Sequence, residues 1–296
     1  MTINAPAKLT VVTEGMPSPL RRRTTSIIVH VLLIGASILM LYPLLWLLAA
    51  SFRPENEIFT SASIWPSSWS LDAYFRGWNG LRTGFGTFYL NSFIISGLSV
   101  IGNVLACSMA AFAFARLDFK YKNFWFAMML MTLMLPYQVT LIPQYVLFRQ
   151  LGWVNTFLPL VVPKFLAADG FFIFLMVQFF RGLPKELDEA AQMDGCSPWR
   201  IYWRIIIPLS MPVLATAAIF TFIWTWDDFF GPLIYLGEMR QYTVMLGLRT
   251  FTDSTGESDY GGLFAMSALS LVPIFLFFLF FQRLLIEGIA TTGMKR

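Results

Sequence analysis

Six stretches of mostly apolar residues, each more than 20 long, divide this chain at about 26–50, 89–115, 123–147, 158–180, 208–236 and 263–285. At about 1.5 Å rise per residue, roughly 20 residues of helix cross a hydrocarbon layer of about 30 Å. No water is available in that layer to satisfy a free N–H or C=O, so each stretch must close its own backbone hydrogen bonds. The chain therefore reads as an all-α membrane protein with six transmembrane helices. Composition agrees, with 57% hydrophobic and 13% charged residues, against about 25% charged in soluble domains. Residues 25–296 read as one membrane domain, and residues 1–24, polar and Pro-bearing, as a disordered tail. The apolar run after Arg21-Arg22-Arg23 exceeds the about 7–15 residues of a cleavable signal and reads as a retained anchor.

Charge sets the orientation. The tail, the 116–122 turn, the 181–204 loop and the C-terminal segment carry fourteen Lys and Arg (8, 21, 22, 23, 116, 120, 122, 181, 185, 200, 204, 283, 295, 296). The opposite side carries six (53, 76, 82, 149, 240, 249). The positive-inside rule places both termini and the 181–204 loop in the cytoplasm. The net charge of +4 is thus a topology signal and does not point to nucleic acid. Trp65, Trp69 and Trp78 in the outer loop suit a membrane interface. Ala106, Ala110 and Ala113, with Gly97 and Gly102, predict the packing face of the second span.

Several classes of function fail for want of residues. One histidine, His30, and two separated cysteines, Cys107 and Cys196, leave no metal set and no His-based catalytic set. No G-x-x-x-x-G-K-[S/T] phosphate loop occurs, so the chain binds no nucleotide in that way. The chain is expected to be no enzyme and to hold no cofactor of its own.

The 183–207 loop is patterned where a simple connection would not be. Pro184 suits a first helical turn, and Glu186, Asp188 and Glu189 place negative charge at a helix N-terminus. Leu183, Leu187, Ala190 and Ala191 fall on one face. Gly195 reads as a left-handed helix stop, and Ser197-Pro198 as an N-cap with Pro at the first position. Trp199, Tyr202 and Trp203 are expected to face one way. Two short helices hinged at Gly195 follow, fit either to dock another protein or to lie on headgroups.

The pattern Glu189-Ala190-Ala191, Gly195, Ile205-x-Ile207-Pro208, with Asp194 before the glycine, resembles the coupling motif of binding-protein-dependent ABC-transporter permeases. Ile207 stands where that family usually has Leu. Residues 133–143 (LMLPYQVTLIP), 151–156 (LGWVNT), 179–194, 226–236 (WDDFFGPLIYL) and 281–295 resemble the smaller permease of the carbohydrate, maltose-type branch. The resemblance spans about residues 25–296. It implies a type I ABC importer permease fold, with coupling helices at 183–207 that enter a cleft on an ATPase. It implies a second homologous permease in a heterodimer, two cytoplasmic ATPase subunits that bind ATP and Mg, and a soluble substrate-binding protein. The implied cargo is a sugar or oligosaccharide. The rival from the residues alone is a secondary transporter driven by an ion gradient.

Charged groups at membrane depth cost at least about 2.5–3.5 kcal/mol and need a reason. Lys164 and Asp169 fall in the fourth span, about 25 and 18 Å along a straight helix from Arg181. Asp169-Gly170 is a candidate helix break. Asp227 and Asp228, with Trp224, lie near the end of the fifth span. These residues read either as a polar substrate path or as structural groups, with Lys164 and Asp169 pairing or meeting the partner permease and the two aspartates capping the outer end of the fifth span.

Overall fold

The computed structural model describes residues 19–60, 63, 65–252 and 258–293, with side chains described between 26 and 283. Most of the tail expected at 1–24 lies outside the described residues, although helix already begins at Pro19. All regular structure among the described residues is helical. In chain order the helices are α1 (Pro19–Ala50), α2 (Asp72–Asn79), α3 (Phe85–Arg116), α4 (Lys122–Thr132), α5 (Tyr137–Gln150), α6 (Leu158–Phe165) and α7 (Gly170–Gly182). They continue as α8 (Glu186–Met193), α9 (Pro198–Ile201), α10 (Ile207–Leu209), α11 (Met211–Trp226), α12 (Phe230–Tyr235), α13 (Val244–Leu248) and α14 (Tyr260–Gly293).

Four segments are long and apolar enough to cross a membrane: Ser26–Ala50, Phe85–Arg116, Leu158–Gly182 and Tyr260–Arg283. Two further segments are bent pairs, α4 with α5 at 101° and Pro198–Leu209 with α11 at 78°. Counting each pair as one span gives six. The first bend follows from Pro136, which has no N–H to donate and disfavours helix at Leu135. The second falls at Ser210 (φ −104°, ψ 11°) between Pro208 and Pro212. The stretch expected at 123–147 is therefore a sharply broken segment that runs on to Gln150, and the fifth is split after Trp226.

Helix α3 is the axis of the fold, packed by α6, α7 and α11. Its buried face carries a polar stripe between apolar ends: Asn91, Ser92, Ser96, Ser99, Asn103 and Ser108 are all under 9% exposed. Leu90, Ile94, Leu98, Ile101 and Leu105 point outward. Lipid is as apolar as Leu, so the inward face of a span gains from small residues and hydrogen bonds. Asn103 Nδ2 donates to Thr221 Oγ1 at 2.7 Å, and Asn91 Nδ2 donates to the carbonyls of Arg240 and Tyr242 at 2.8 and 3.0 Å. The packing face expected at Ala106, Ala110 and Ala113 is only part-buried; the close contact runs through Gly102, Asn103 and Cys107. A Cβ on Gly102 would come within 2.5 Å of the Phe165 ring, so α6 approaches there as only glycine allows.

Two apolar clusters grip α3. One gathers Phe112, Phe172, Met176, Phe180, Tyr202 and Ile206 around its C-terminal half. The other gathers Phe85, Phe88, Phe222, Trp226 and Met266 around its N-terminal half.

Candidate functional site

Two places stand out, the 183–207 loop and a cavity among broken helices. In the loop, α8 begins at Glu186, two residues beyond Pro184. It ends in a full C-terminal cap: Gly195 N–H donates to Gln192 O and Cys196 N–H to Ala191 O, both at 2.9 Å. Gly195 has φ +78°, the left-handed geometry this cap requires. Ser197 Oγ accepts from Arg200 N–H and Pro198 opens α9, as the N-cap reading expected. A π-type turn, Tyr202–Ile206, carries the chain on to α10. The two-helix element hinged at Gly195 is thus present.

The inward face of α8 differs from the expected one. Asp188 and Ala191 are buried, whereas Leu187, Glu189, Ala190 and Met193 are exposed. A carboxylate turns inward because its partner waits there. Arg116, in the last turn of α3, places Nε 3.2 Å from Asp188 Oδ2, with side chains only 4% and 12% exposed. Arg116 Nη2 also donates to Leu183 O at 2.9 Å. Burial pushes the Asp188 carboxyl above its ordinary range, and Arg116 opposes that rise. A second tie joins the hydroxyls of Ser108 and Tyr202 at 2.8 Å. Trp199, Tyr202 and Trp203 touch one another, but they do not face one way. Tyr202 is 1% exposed, while both tryptophans are exposed. Met193 is 89% exposed at the tip. Among the motif residues, Glu189, Ala190, Asp194, Gly195 and Pro208 are exposed, Ile205 is half-buried and Ala191 is buried.

The cavity, about 650 Å³, is lined by residues flanking three helix breaks, those between α4 and α5, α6 and α7, and α11 and α12. Non-helical backbone at membrane depth persists only where protein buries it or where it lines a cavity. Lys164, Asp169, Trp224 and Asp228 come together on this lining. Lys164 Nζ donates to Asp169 Oδ2 at 2.7 Å across the break, where Ala167 takes φ +53°. Asp228 Oδ1 accepts from Gly231 N–H at 3.1 Å and so caps α12. Asp227 stands apart, exposed and off the lining, so the expected pair of aspartates is split. Tyr137, Thr140 and Gln144 complete the polar wall. Their spacing of three and four on one face of α5 was visible in the sequence, but a continuous span across Pro136 concealed it.

The profile of the family described as binding-protein-dependent transport system inner membrane component matches residues 102–291. The arabinooligosaccharides transport system permease protein AraQ of Halalkalibacterium halodurans is 35% identical over 282 residues, covering 93% of this chain and all of that one. The trehalose/maltose transport system permease protein MalG of Thermococcus litoralis is 31% identical over 268 residues, 89% and 96% of the two chains. Among solved structures, a chain of a bacterial ABC transporter involved in import of the acidic polysaccharide alginate shares the fold, with TM-score 0.79 over 91% of this chain at 21% identity. This chain belongs to the family of inner membrane components of binding-protein-dependent transport systems, the permease subunits of ABC importers.

Proposed function

We propose that this chain is one permease of a heterodimeric sugar or oligosaccharide importer. It spans the bacterial inner membrane six times with both termini cytoplasmic. It receives cargo from a soluble binding protein and is driven by two cytoplasmic ATPase subunits, which bind ATP and Mg. The observation that carries this reading is the division of α8 into two faces. Asp188 and Ala191 hold it to the membrane domain. Leu187, Glu189, Ala190 and Met193 are left outward, free of any contact within the chain that would hide them. The small side chain of Ala190 lets a partner's backbone approach, and Met193 offers an adaptable apolar tip. Sugar cargo is supported by the named cargoes of the relatives. The cavity supports it too, offering hydroxyls, an amide, a neutralised ion pair and the exposed face of Trp224, groups that suit a hydroxyl-rich ligand.

The chain is produced with its partner subunits in proteoliposomes, and uptake of radiolabelled arabinotriose and maltose is followed. Glu189→Arg combined with Gly195→Ala is expected to insert normally yet to abolish ATP-driven uptake and co-purification of the ATPase. Normal uptake by that double variant defeats the reading. The ion-gradient rival needs Lys164, Asp169 and Asp227 as a relay, but Asp227 lies off the cavity that holds the other two. Uptake by this chain alone on an ion gradient, without ATP, would restore it.

A further inference from the structure

We propose that Arg116 and Asp188 are a positioning pair through which displacement of α8 is delivered to α3 and from there to the wall of the cavity; this rests on the reading of 183–207 as the ATPase-docking element. Four observations carry it. The pair is the sole salt bridge among the described residues with both side chains nearly closed to solvent, at 3.2 Å. Arg116 is the last residue of a 32-residue helix, so a pull on its guanidinium acts on the end of a rod that crosses the whole fold. The same guanidinium holds Leu183 O, and Tyr202 beyond the Gly195 hinge is held by Ser108. Both halves of the loop are therefore tied to one helix. Finally, α3 meets the α6–α7 break directly. Gly102 lies against Phe165, and Cys107 Sγ reaches Asp169 O at 3.7 Å, with Asn103 Oδ1 accepting from the same thiol at 3.0 Å. Phe165 and Asp169 bound the α6–α7 break, and Lys164, next to Phe165, lies with Asp169 on the cavity lining.

The pair is also under-satisfied. Arg116 Nε and Nη1 and Asp188 Oδ1 are buried without hydrogen-bond partners, so the 3.2 Å contact is an ion pair and not a hydrogen bond. Half-satisfied buried networks are costly to keep, so a rearrangement that gives these atoms partners would be favoured. Arg116 and Asp188 lie off the lining of the cavity, so their role is to act through α3.

The test reads coupling rather than activity alone. The complete importer is reconstituted in proteoliposomes, and ATP hydrolysed per sugar imported is measured with whichever of arabinotriose or maltose the wild type takes up. Arg116→Gln is expected to keep ATPase association and at least half of the ATP hydrolysis, while raising the ATP-to-sugar ratio tenfold or more. The charge exchange Arg116→Asp with Asp188→Arg is expected to bring the ratio back to within about threefold of wild type. Arg116→Met with Asp188→Leu removes the buried charges together and is expected to be as heat-stable as wild type while remaining uncoupled. That variant separates loss of transmission from loss of folding. An unchanged ratio in Arg116→Gln, or full coupling in the apolar double variant, overturns the pair's role. The docking reading fails separately, through Glu189→Arg with Gly195→Ala leaving ATPase association intact.

Discussion

Gly195→Ala isolates one physical term. A Cβ at this position would meet nothing within 4 Å, so packing contributes no cost. The backbone does, because φ is +78° and an L-residue in the left-handed region loses about 1–2 kcal/mol. That strain is relieved only if the loop leaves its present geometry, giving up the bonds from Gly195 to Gln192 and from Cys196 to Ala191. The population of correctly angled α8 and α9 should fall by a factor of about 5–30, which is what 1–2 kcal/mol is worth. The assay is binding of the purified ATPase subunit to the permease pair in nanodiscs. Gly195→Ala is expected to weaken it by up to that factor, and Gly195→Asn to weaken it less, since Asn tolerates this region. Gly152→Ala is the control. It has φ +70° and equally open surroundings, but lies in the α5–α6 turn, so it should carry the same strain and leave ATPase binding unchanged. Unchanged binding in Gly195→Ala, or equal loss in Gly152→Ala, refutes the argument.

Four further outcomes are expected. Replacing Asn103 by Leu and Thr221 by Val in a double-mutant cycle should give a coupling of about 0.6 kcal/mol, and no more than about 1.7, read by thermal unfolding in detergent. Gly247→Ala places a methyl into the ring of buried Phe88 and should cost about 1–3 kcal/mol of stability as overpacking, measured the same way. Asp228→Ala and Lys164→Ala should each lower the uptake rate at least tenfold, whereas Asp227→Ala, off the cavity, should stay within twofold. The raised Asp188 carboxyl means that the folded chain holds this proton more tightly than the unfolded chain does. Its contribution to stability therefore declines as pH rises from about 4 through the raised value. Arg116→Met with Asp188→Leu should remove that slope from a melting-temperature profile against pH.

Local rules reached far into this chain because its strongest signals are local. Gly195 and Ser197-Pro198 mark a cap and a start by chemistry that acts within a few residues, and both stand where expected. Lys164 and Asp169 are five residues apart, and their pairing was foreseeable. What stayed hidden depends on partners distant in sequence. Asp188 stands in the first turn of α8 as expected, but its inward turn toward Arg116, at the end of α3, could not be read locally. The polar stripe on α3 could not be ranked above its alanine stripe without knowing that Thr221, Val244 and Tyr242 would meet it. Asp227 and Asp228 are neighbours in sequence, yet the end of α11 turns only the second to the cavity. The bend at Pro136 was the costliest omission, since the break itself, not the apolar run, presents Tyr137, Thr140 and Gln144.

The central claim is that the 183–207 loop is cytoplasmic and is where the importer is driven. Met193 is its most exposed large apolar side chain, at 89%. With Cys107 and Cys196 replaced by Ala, Met193→Cys should react with a membrane-impermeant maleimide only in inside-out vesicles, and the bound ATPase subunit should protect it. Labelling in right-side-out vesicles, or labelling that the ATPase does not reduce, contradicts the claim.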